Sequence, residues 1–255
     1  MMLKLEYRPF GILNSESDSD FFFVCDHATN FVPRTMLGLG VGKSDLFSHI
    51  AYDIGALPVA RALALKFDAS LIWQNYSRLI IDCNRQLNHE GLIPEVSDQI
   101  TIDGNRSLSE QSRNNRIKLI FKPYHLEIDK RLKEREKRCG QTFFVSVHSF
   151  TPTMNGIRRP WKIGVLSDGN EKFSLIVFEL LRSRYDFCVG FNEPYRVDSK
   201  DFTIPEHATK RSLPSVLIEI RQDLIATEKS QRFWIETIAT VLRNAREDYL
   251  AESRK

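Results

Sequence analysis

Short, unbroken apolar runs that stop abruptly in polar clusters constrain this chain more than any other feature. Phe21-Phe22-Phe23-Val24-Cys25 gives way at once to Asp26-His27-Ala28-Thr29-Asn30, and Thr142 to Val147 closes on His148-Ser149. Leu79 to Ile81 runs into Asp82-Cys83-Asn84-Arg85, and the stretch from Ser215 to Ile220 carries Glu219 inside it. A continuous apolar run of this length is the pattern of a strand covered on both faces, unlike the alternation of a half-exposed strand. Further strands are expected at Ala69 to Trp73, Ile163 to Leu166 and Phe187 to Val189. Helical spacing separates them. One helix is expected from Asp45 to Lys66, capped by Ser44 and kinked or split at Pro58. A second runs from Ser109 to Arg138, interrupted by Pro123. Phe173 to Arg184 and Ser230 to Leu250 complete the set, the last with Phe233, Ile238, Val241, Leu242 and Ala245 on one face. Strands alternating with helices predict an α/β fold with a largely parallel or mixed sheet. No repeat or long linker divides the 255 residues, so one domain over 1–255 is expected.

Composition removes several functions. With 36 Lys+Arg against 33 Asp+Glu the net charge is +3, and the densest basic run, Lys130 to Arg138, is interleaved with Glu134 and Glu136. That is a solvated helix face, so no nucleic-acid partner is expected. No stretch approaches 18 apolar residues, and the first ten carry Lys4, Glu6 and Arg8, so neither a membrane span nor a signal peptide is expected. Cys25, Cys83, Cys139 and Cys188 are widely spaced with no CxxC pair, which argues against a disulfide scaffold or a cysteine zinc site. A cytoplasmic protein is expected.

In an open α/β sheet ligands sit beyond the carboxyl ends of the strands, so the polar residues that follow the apolar runs are the candidates. His27 and Asn30, three residues apart, can converge on one metal ion, and His148 from a neighbouring strand end would complete a three-ligand site with a position left for water. Each histidine alone has a structural reading, as a loop imidazole bonded to backbone. Asn30 is the weakest ligand of the three, because an amide oxygen binds zinc less well than a carboxylate; Asp26 and Asp53 are the alternatives. Arg85 offers a planar fork for a carboxylate with Asn84 beside it, and Arg78 can stabilise an oxyanion; the competing reading is an ion pair of Asp82 with one arginine. Glu219 in an interior strand is expensive unless paired or functional. It is either a general base or the partner of Arg221. Gly38-Leu39-Gly40-Val41-Gly42 lacks the spacing of a phosphate loop and is expected to be a flexible loop. His207 lies in a polar segment that can approach the site.

Taken in order, VCDHATNFVP (24–33), AYDIGA (51–56), SRLIIDCNR (77–85), HSFTPTMNG (148–156), RPWKIGVL (159–166), NEPY (192–195) and LIEIRQDL (217–224) resemble the N-formylglutamate amidohydrolase family, and more distantly zinc carboxypeptidases and aspartoacylase-type deacylases. The resemblance implies a three-layer α/β/α fold with a mixed central sheet, zinc-exopeptidase-like, and metal-dependent hydrolysis of a small N-acyl amino acid, N-formyl-L-glutamate first among them. It implies zinc, or another divalent metal, on His27, Asn30 and His148, with asparagine standing where the wider group has glutamate. It implies Glu219 as general base, Arg78 polarising the scissile carbonyl, and Asn84 and Arg85 holding the substrate carboxylate. Two further readings stay open: a deacylase or carboxypeptidase-like enzyme for another N-acyl amino acid or small peptide, and a metal-poor carboxylate-binding protein.

Overall fold

The computed structural model describes residues 5–138, 140–169 and 171–254, so Cys139 and the first four residues lie outside the described residues. Among the described residues there are eleven strands: β1 (Phe10–Leu13), β2 (Phe21–Cys25), β3 (Ser70–Gln74), β4 (Val96–Ser97), β5 (Ile100–Thr101), β6 (Phe143–Phe150), β7 (Thr153–Met154), β8 (Ile157–Arg158), β9 (Ile163–Leu166), β10 (Val189–Phe191) and β11 (Ser215–Arg221). Seven of them form one sheet in the order β1-β3-β2-β6-β11-β9-β10, while β4-β5 and β7-β8 are separate hairpins. The four strands from β3 to β11 run parallel. β1 is antiparallel to β3, β9 is antiparallel to β11, and β10 is parallel to β9, so the sheet is mixed.

The unbroken apolar runs follow from two covered faces. Phe21, Phe23, Cys25, Val145, Val147, Ile218 and Ile220 pack with helices α2 (Ala56–Lys66), α5 (Glu171–Arg184) and α6 (Glu228–Glu252). Phe22, Val24, Phe144 and Leu217 face the other way, into a core built by the stretch Ile117–Phe121 that follows α3 (Glu110–Arg116), by α4 (Lys122–Arg138) and by the segment around Tyr76 to Cys83. This is the expected three-layer α/β/α arrangement. Cys25 and Cys83 are buried free thiols and Cys188 is an exposed one. No helix among the described residues is long and apolar enough to cross a membrane.

Several local expectations change. The helix expected from Asp45 to Lys66 is two pieces, α1 (Lys43–Leu46) and α2, with an irregular loop between them. Gly55 ends that loop at φ 78, where a side chain would collide with the Ile225 carbonyl, and Pro58 falls in the first turn of α2, where its missing N–H costs nothing. Leu79 to Ile81 is buried but is a turn, not a strand. Its carbonyls are taken by side chains: Asn105 Nδ2 donates to Leu79 O at 2.8 Å and Arg116 Nη1 to Ile80 O at 2.8 Å. The chain passes Pro123 through one π turn, Ile117–Phe121, rather than breaking. The expected strand at Phe187 to Val189 forms instead at β10, and the edge strand β1 was not foreseen. The glycine-rich stretch lies at a short 3₁₀ segment, Arg34–Gly40, with Leu37 to Leu39 left-handed.

Candidate metal centre and active site

The parallel strands β2, β6 and β11 deliver the site at their carboxyl ends. His27 follows β2 in a tight turn, and His148 and Glu219 stand opposite one another on β6 and β11. Both lie on the face of Phe144 and Leu217, where side-chain alternation along the strands places them together. Asp53 comes from the loop ahead of α2. Its backbone N–H donates to His27 O at 2.9 Å, and the loop is pinned by Ser77 Oγ donating to Ala51 O at 2.7 Å and Ser149 Oγ donating to Ile54 O at 2.8 Å.

These residues form a layered constellation. His27, Asp53 and His148, all buried, bring one ligand atom each within 4.8 Å of the others. Asp53 Oδ2 lies 2.8 Å from His148 Nδ1 and 3.4 Å from His27 Nδ1. The far side of each ring is tied to its own carboxylate: His27 Nε2 lies 2.7 Å from Asp82 Oδ1, and His148 Nε2 lies 3.2 Å from Asp26 Oδ2. Asp26 also accepts from Tyr124 Oη and Thr203 Oγ1, both at 2.8 Å. A carboxylate on the outer nitrogen fixes the tautomer and turns the other nitrogen toward the centre, the usual support of a metal-binding imidazole. His27 Nδ1 and Glu219 Oε2 are buried polar atoms with no hydrogen-bond partner among the described residues. Unpaired buried atoms of this kind are uncommon, and a cation with its water would satisfy both.

The electrostatics divide these groups. Burial alone would neutralise Asp26, Asp53 and Asp82, but the imidazoles and Arg78 outweigh it and hold all three below the usual carboxylate range, Asp26 at about 2. Burial likewise opposes charge on His27 and His148, yet the surrounding carboxylates raise both above the ordinary histidine value. Glu219 goes the other way. Burial, reinforced by Asp53, raises it to about 7 against the pull of His148. One carboxyl near neutrality beside three that stay ionised is how a site separates a proton carrier from fixed charges.

A cavity of about 470 Å³ opens over this floor, lined among others by Arg78, Asn84, Arg85, Tyr195 and Glu219. Arg78, with a quarter of its side chain exposed, donates from Nη2 to Asp82 Oδ2 at 2.6 Å and reaches Asp53 Oδ1 at 3.5 Å. The ion-pair reading of Asp82 therefore holds, and Asp82 serves His27 as well. Tyr195 Oη accepts from Arg159 Nη1 at 2.8 Å, and the guanidinium lies 4.6 Å from the ring centroid. Gly164 and Gly190 let the segment leading to Tyr195 lie directly on β9 and β10, where a Cβ at either position would strike Glu193.

Four expectations need correction. Asn30 commits its Nδ2 to Leu46 O at 2.8 Å, and the acid that converges with the two imidazoles is Asp53, one of the two alternatives to Asn30. Asn84 reaches the cavity wall, but its amide is spent inside the protein, with Oδ1 accepting from Phe202 N at 3.2 Å and Thr203 N at 3.0 Å and Nδ2 donating to Asp201 Oδ1 at 3.2 Å. Arg221 does not pair with Glu219; it binds Asp223, 2.8 Å from Nε to Oδ1. His207 stops short of the cavity and stacks on His125. Tyr195 and the supporting roles of Asp26 and Asp82 escaped the sequence reading. Asp53 had been placed within an expected helix, and the signal against that was Gly55 followed by Pro58.

The sequence matches the N-formylglutamate amidohydrolase family over residues 19–226. Among solved structures, a gene product of Agrobacterium tumefaciens superposes with a TM-score of 0.93 at 33% identity, covering 96% of this chain and 97% of that one. The N-formylglutamate amidohydrolase of Ralstonia eutropha JMP134 superposes with a TM-score of 0.75 at 19% identity over 94% of this chain and 98% of its own, a likeness of fold. A search of curated protein sequences found no match. The family match spans every strand of the main sheet except the edge strand β1, together with all the residues of the centre, and on it the chain belongs to the N-formylglutamate amidohydrolase family and is an enzyme of the amidohydrolase type.

Proposed function

We propose that this enzyme hydrolyses the amide bond of N-acyl amino acids with the help of a divalent metal, and that N-formyl-L-glutamate, released as formate and L-glutamate, is its substrate. One observation carries the reading: two imidazoles, each anchored to its own carboxylate at Nε2, turn their Nδ1 atoms toward a shared aspartate. Two nitrogens and one carboxylate oxygen are the donor set of a catalytic zinc site that leaves a position free. His27, His148 and Asp53 would hold the ion. Bound there, a zinc ion supplies Lewis acidity, polarising the amide carbonyl and bringing the pKa of water toward about 7.

The chain's own groups do the rest. Glu219, in register with His148 and near neutrality, takes a proton from the attacking water and hands it to the departing amine. Arg78 is held by Asp53 and Asp82 while still facing the cavity, so it can donate to the carbonyl oxygen as charge gathers there. A preorganised donor of this kind is worth roughly 3 kcal/mol. The cavity volume lies within the range of small-molecule sites. It also has room for acyl groups larger than formyl, so a panel of N-acyl amino acids belongs in the first assay.

The test combines elemental analysis with turnover. Protein purified without added metal should carry close to one zinc per chain and release formate from N-formyl-L-glutamate. A chelator should abolish that release, and zinc should restore it. Turnover that survives complete removal of metal overturns the proposal.

A further inference from the structure

Two of the stretches that carry the family resemblance, RPWKIGVL (159–166) and NEPY (192–195), take no part in the chemistry above, yet the fold joins them beside the cavity through Arg159 and Tyr195. Gly164, in the first stretch, lies directly across from Glu219 in the pairing of β9 with β11, on the face that carries the site. With no side chain there, the Glu193 carbonyl takes the space that a Cβ would fill. The second stretch is thereby laid against the strand next to Glu219, and Tyr195 reaches the cavity wall.

Arg159 sets the direction of the Tyr195 hydroxyl. Its guanidinium is buried and has no carboxylate within ion-pair distance among the described residues. Nη1 donates to Tyr195 Oη at 2.8 Å and to Thr151 O at 3.3 Å, and the group lies 4.6 Å from the centroid of the Tyr195 ring and 5.8 Å from that of Phe150. A buried cation without a counter-ion is costly, which calls for a use of its charge. Because the phenolic oxygen accepts from Arg159, its own proton must point elsewhere, and no acceptor among the described residues takes it. Burial and the Glu219 carboxyl push the phenol up against the pull of Arg159 and Arg78, so the proton stays on it at neutral pH. A hydroxyl that accepts from a cation is a strengthened donor in its turn. We propose that Tyr195 is a second hydrogen-bond donor, beside Arg78, to the carbonyl oxygen of the substrate as negative charge gathers there, and that Arg159 is a positioning residue that aims and polarises its hydroxyl. Arg78 and Tyr195 line one cavity and act on each other's ionisation, as groups sharing one oxygen must. The pair expected to hold the substrate carboxylate, Asn84 and Arg85, is met only six residues further on, at Asp201. The assignment rests on the amide-hydrolase reading above and adds residues to it.

The test separates the acyl end of the substrate from the amino-acid end. Tyr195→Phe keeps the ring over Arg159 and removes the hydroxyl alone. In the zinc-loaded enzyme kcat for N-formyl-L-glutamate should fall about 30–100-fold. KM, zinc content and the calorimetric affinity for the product L-glutamate should stay within about twofold. Arg159→Gln should lower kcat by about 5–10-fold in the wild type and by less than about twofold in the Tyr195→Phe background, because its effect passes through the hydroxyl. An equal loss in both backgrounds marks Arg159 as a brace of the fold and overturns its positioning role. Unchanged kcat in Tyr195→Phe overturns the assignment of Tyr195. So does L-glutamate bound about tenfold more weakly with kcat retained, since the phenol would then serve the carboxylate. A zinc-loaded wild type that hydrolyses no N-acyl amino acid counts against the amide-hydrolase reading. A wild type that turns over beside an equally active Tyr195→Phe counts against this assignment alone.

Discussion

Two pairs of buried histidines lie in this protein, and their rings are almost equally spaced. The centroids of His27 and His148 are 5.0 Å apart with planes at 71°, and those of His125 and His207 are 5.2 Å apart with planes at 18°. In the second pair the bonds run in series. His125 Nε2 donates to Cys83 O at 2.8 Å, which leaves its Nδ1 to accept from His207 Nε2 at 2.9 Å. The lone pair of His125 is thus spent on His207, whose own Nδ1 is buried with no hydrogen-bond partner among the described residues, and Phe121 and Phe202 pack against the His125 ring. With no carboxylate bonded to either ring, burial lowers both, His125 to about 4. In the first pair every outer nitrogen has a carboxylate, and the inner nitrogens converge. Proximity of imidazoles is therefore not what makes a metal centre. The carboxylates behind and between them are, because they turn the lone pairs inward and favour positive charge at the middle.

Removing the group that works on the first pair should have the largest effect. Glu219→Gln keeps the shape of the side chain next to His148 but cannot carry a proton. We expect kcat to fall by about 10²–10⁴ with zinc content unchanged, measured as formate release at saturating substrate. His207→Gln, applied to the pair that has no such neighbour, should leave turnover within about twofold of wild type. Equal losses in the two variants would erase the distinction between the pairs.

A smaller effect is expected from making the first pair resemble the second. Asp82→Asn takes the charged acceptor from His27 Nε2 and leaves an amide in its place. Zinc affinity should drop by about 10–100-fold in a competition titration with a chromophoric chelator. Asp82 also holds Arg78, so turnover of the fully metal-loaded variant should fall as well, and the affinity measurement isolates the part due to His27.

The same contrast explains what could be seen in the sequence. The main-sheet strands β2, β6, β9 and β11 were legible because a strand covered on both faces must be apolar throughout, and the two convergent histidines were legible because they close such runs. Glu219 was visible for the same reason. Asp53 was named only as an alternative to Asn30, because Ile50, Ile54 and Leu57 keep helical spacing through a loop, and only Gly55 and Pro58 break the pattern. Asp26 and Asp82 stood beside the right residues, but their partners depend on where chains 55 and 122 residues away are brought. Asn30 shows the converse: local spacing suggested a ligand, and the nearby Leu46 carbonyl took its amide. Asn84 and Arg85 matched the family pattern, but their bonds to Asp201, more than a hundred residues on, could not be read from local spacing.

The mildest test uses protons. For a histidine whose folded pKa is depressed, stability is fully present above the unfolded value of about 6.5 and is lost as pH falls toward the folded one. His125, held at about 4, should therefore cost the protein about 1 kcal/mol between pH 7.5 and 5.5. In the metal-free protein His27 and His148 tilt the other way, since their raised values favour the folded state below about 6.5 and that benefit is lost as pH rises through them. A single wild-type curve would mix the two slopes, so the comparison must be made against His125→Gln, whose amide can still donate to Cys83 O and accept from His207. In chelator-treated protein the stability gap between wild type and this variant, taken from urea midpoints, should narrow by about 1 kcal/mol from pH 7.5 to 5.5. A gap that stays constant would mean that His125 takes up its proton as readily in the folded chain as in the unfolded one. Burial without a carboxylate would then not be what sets the second pair apart.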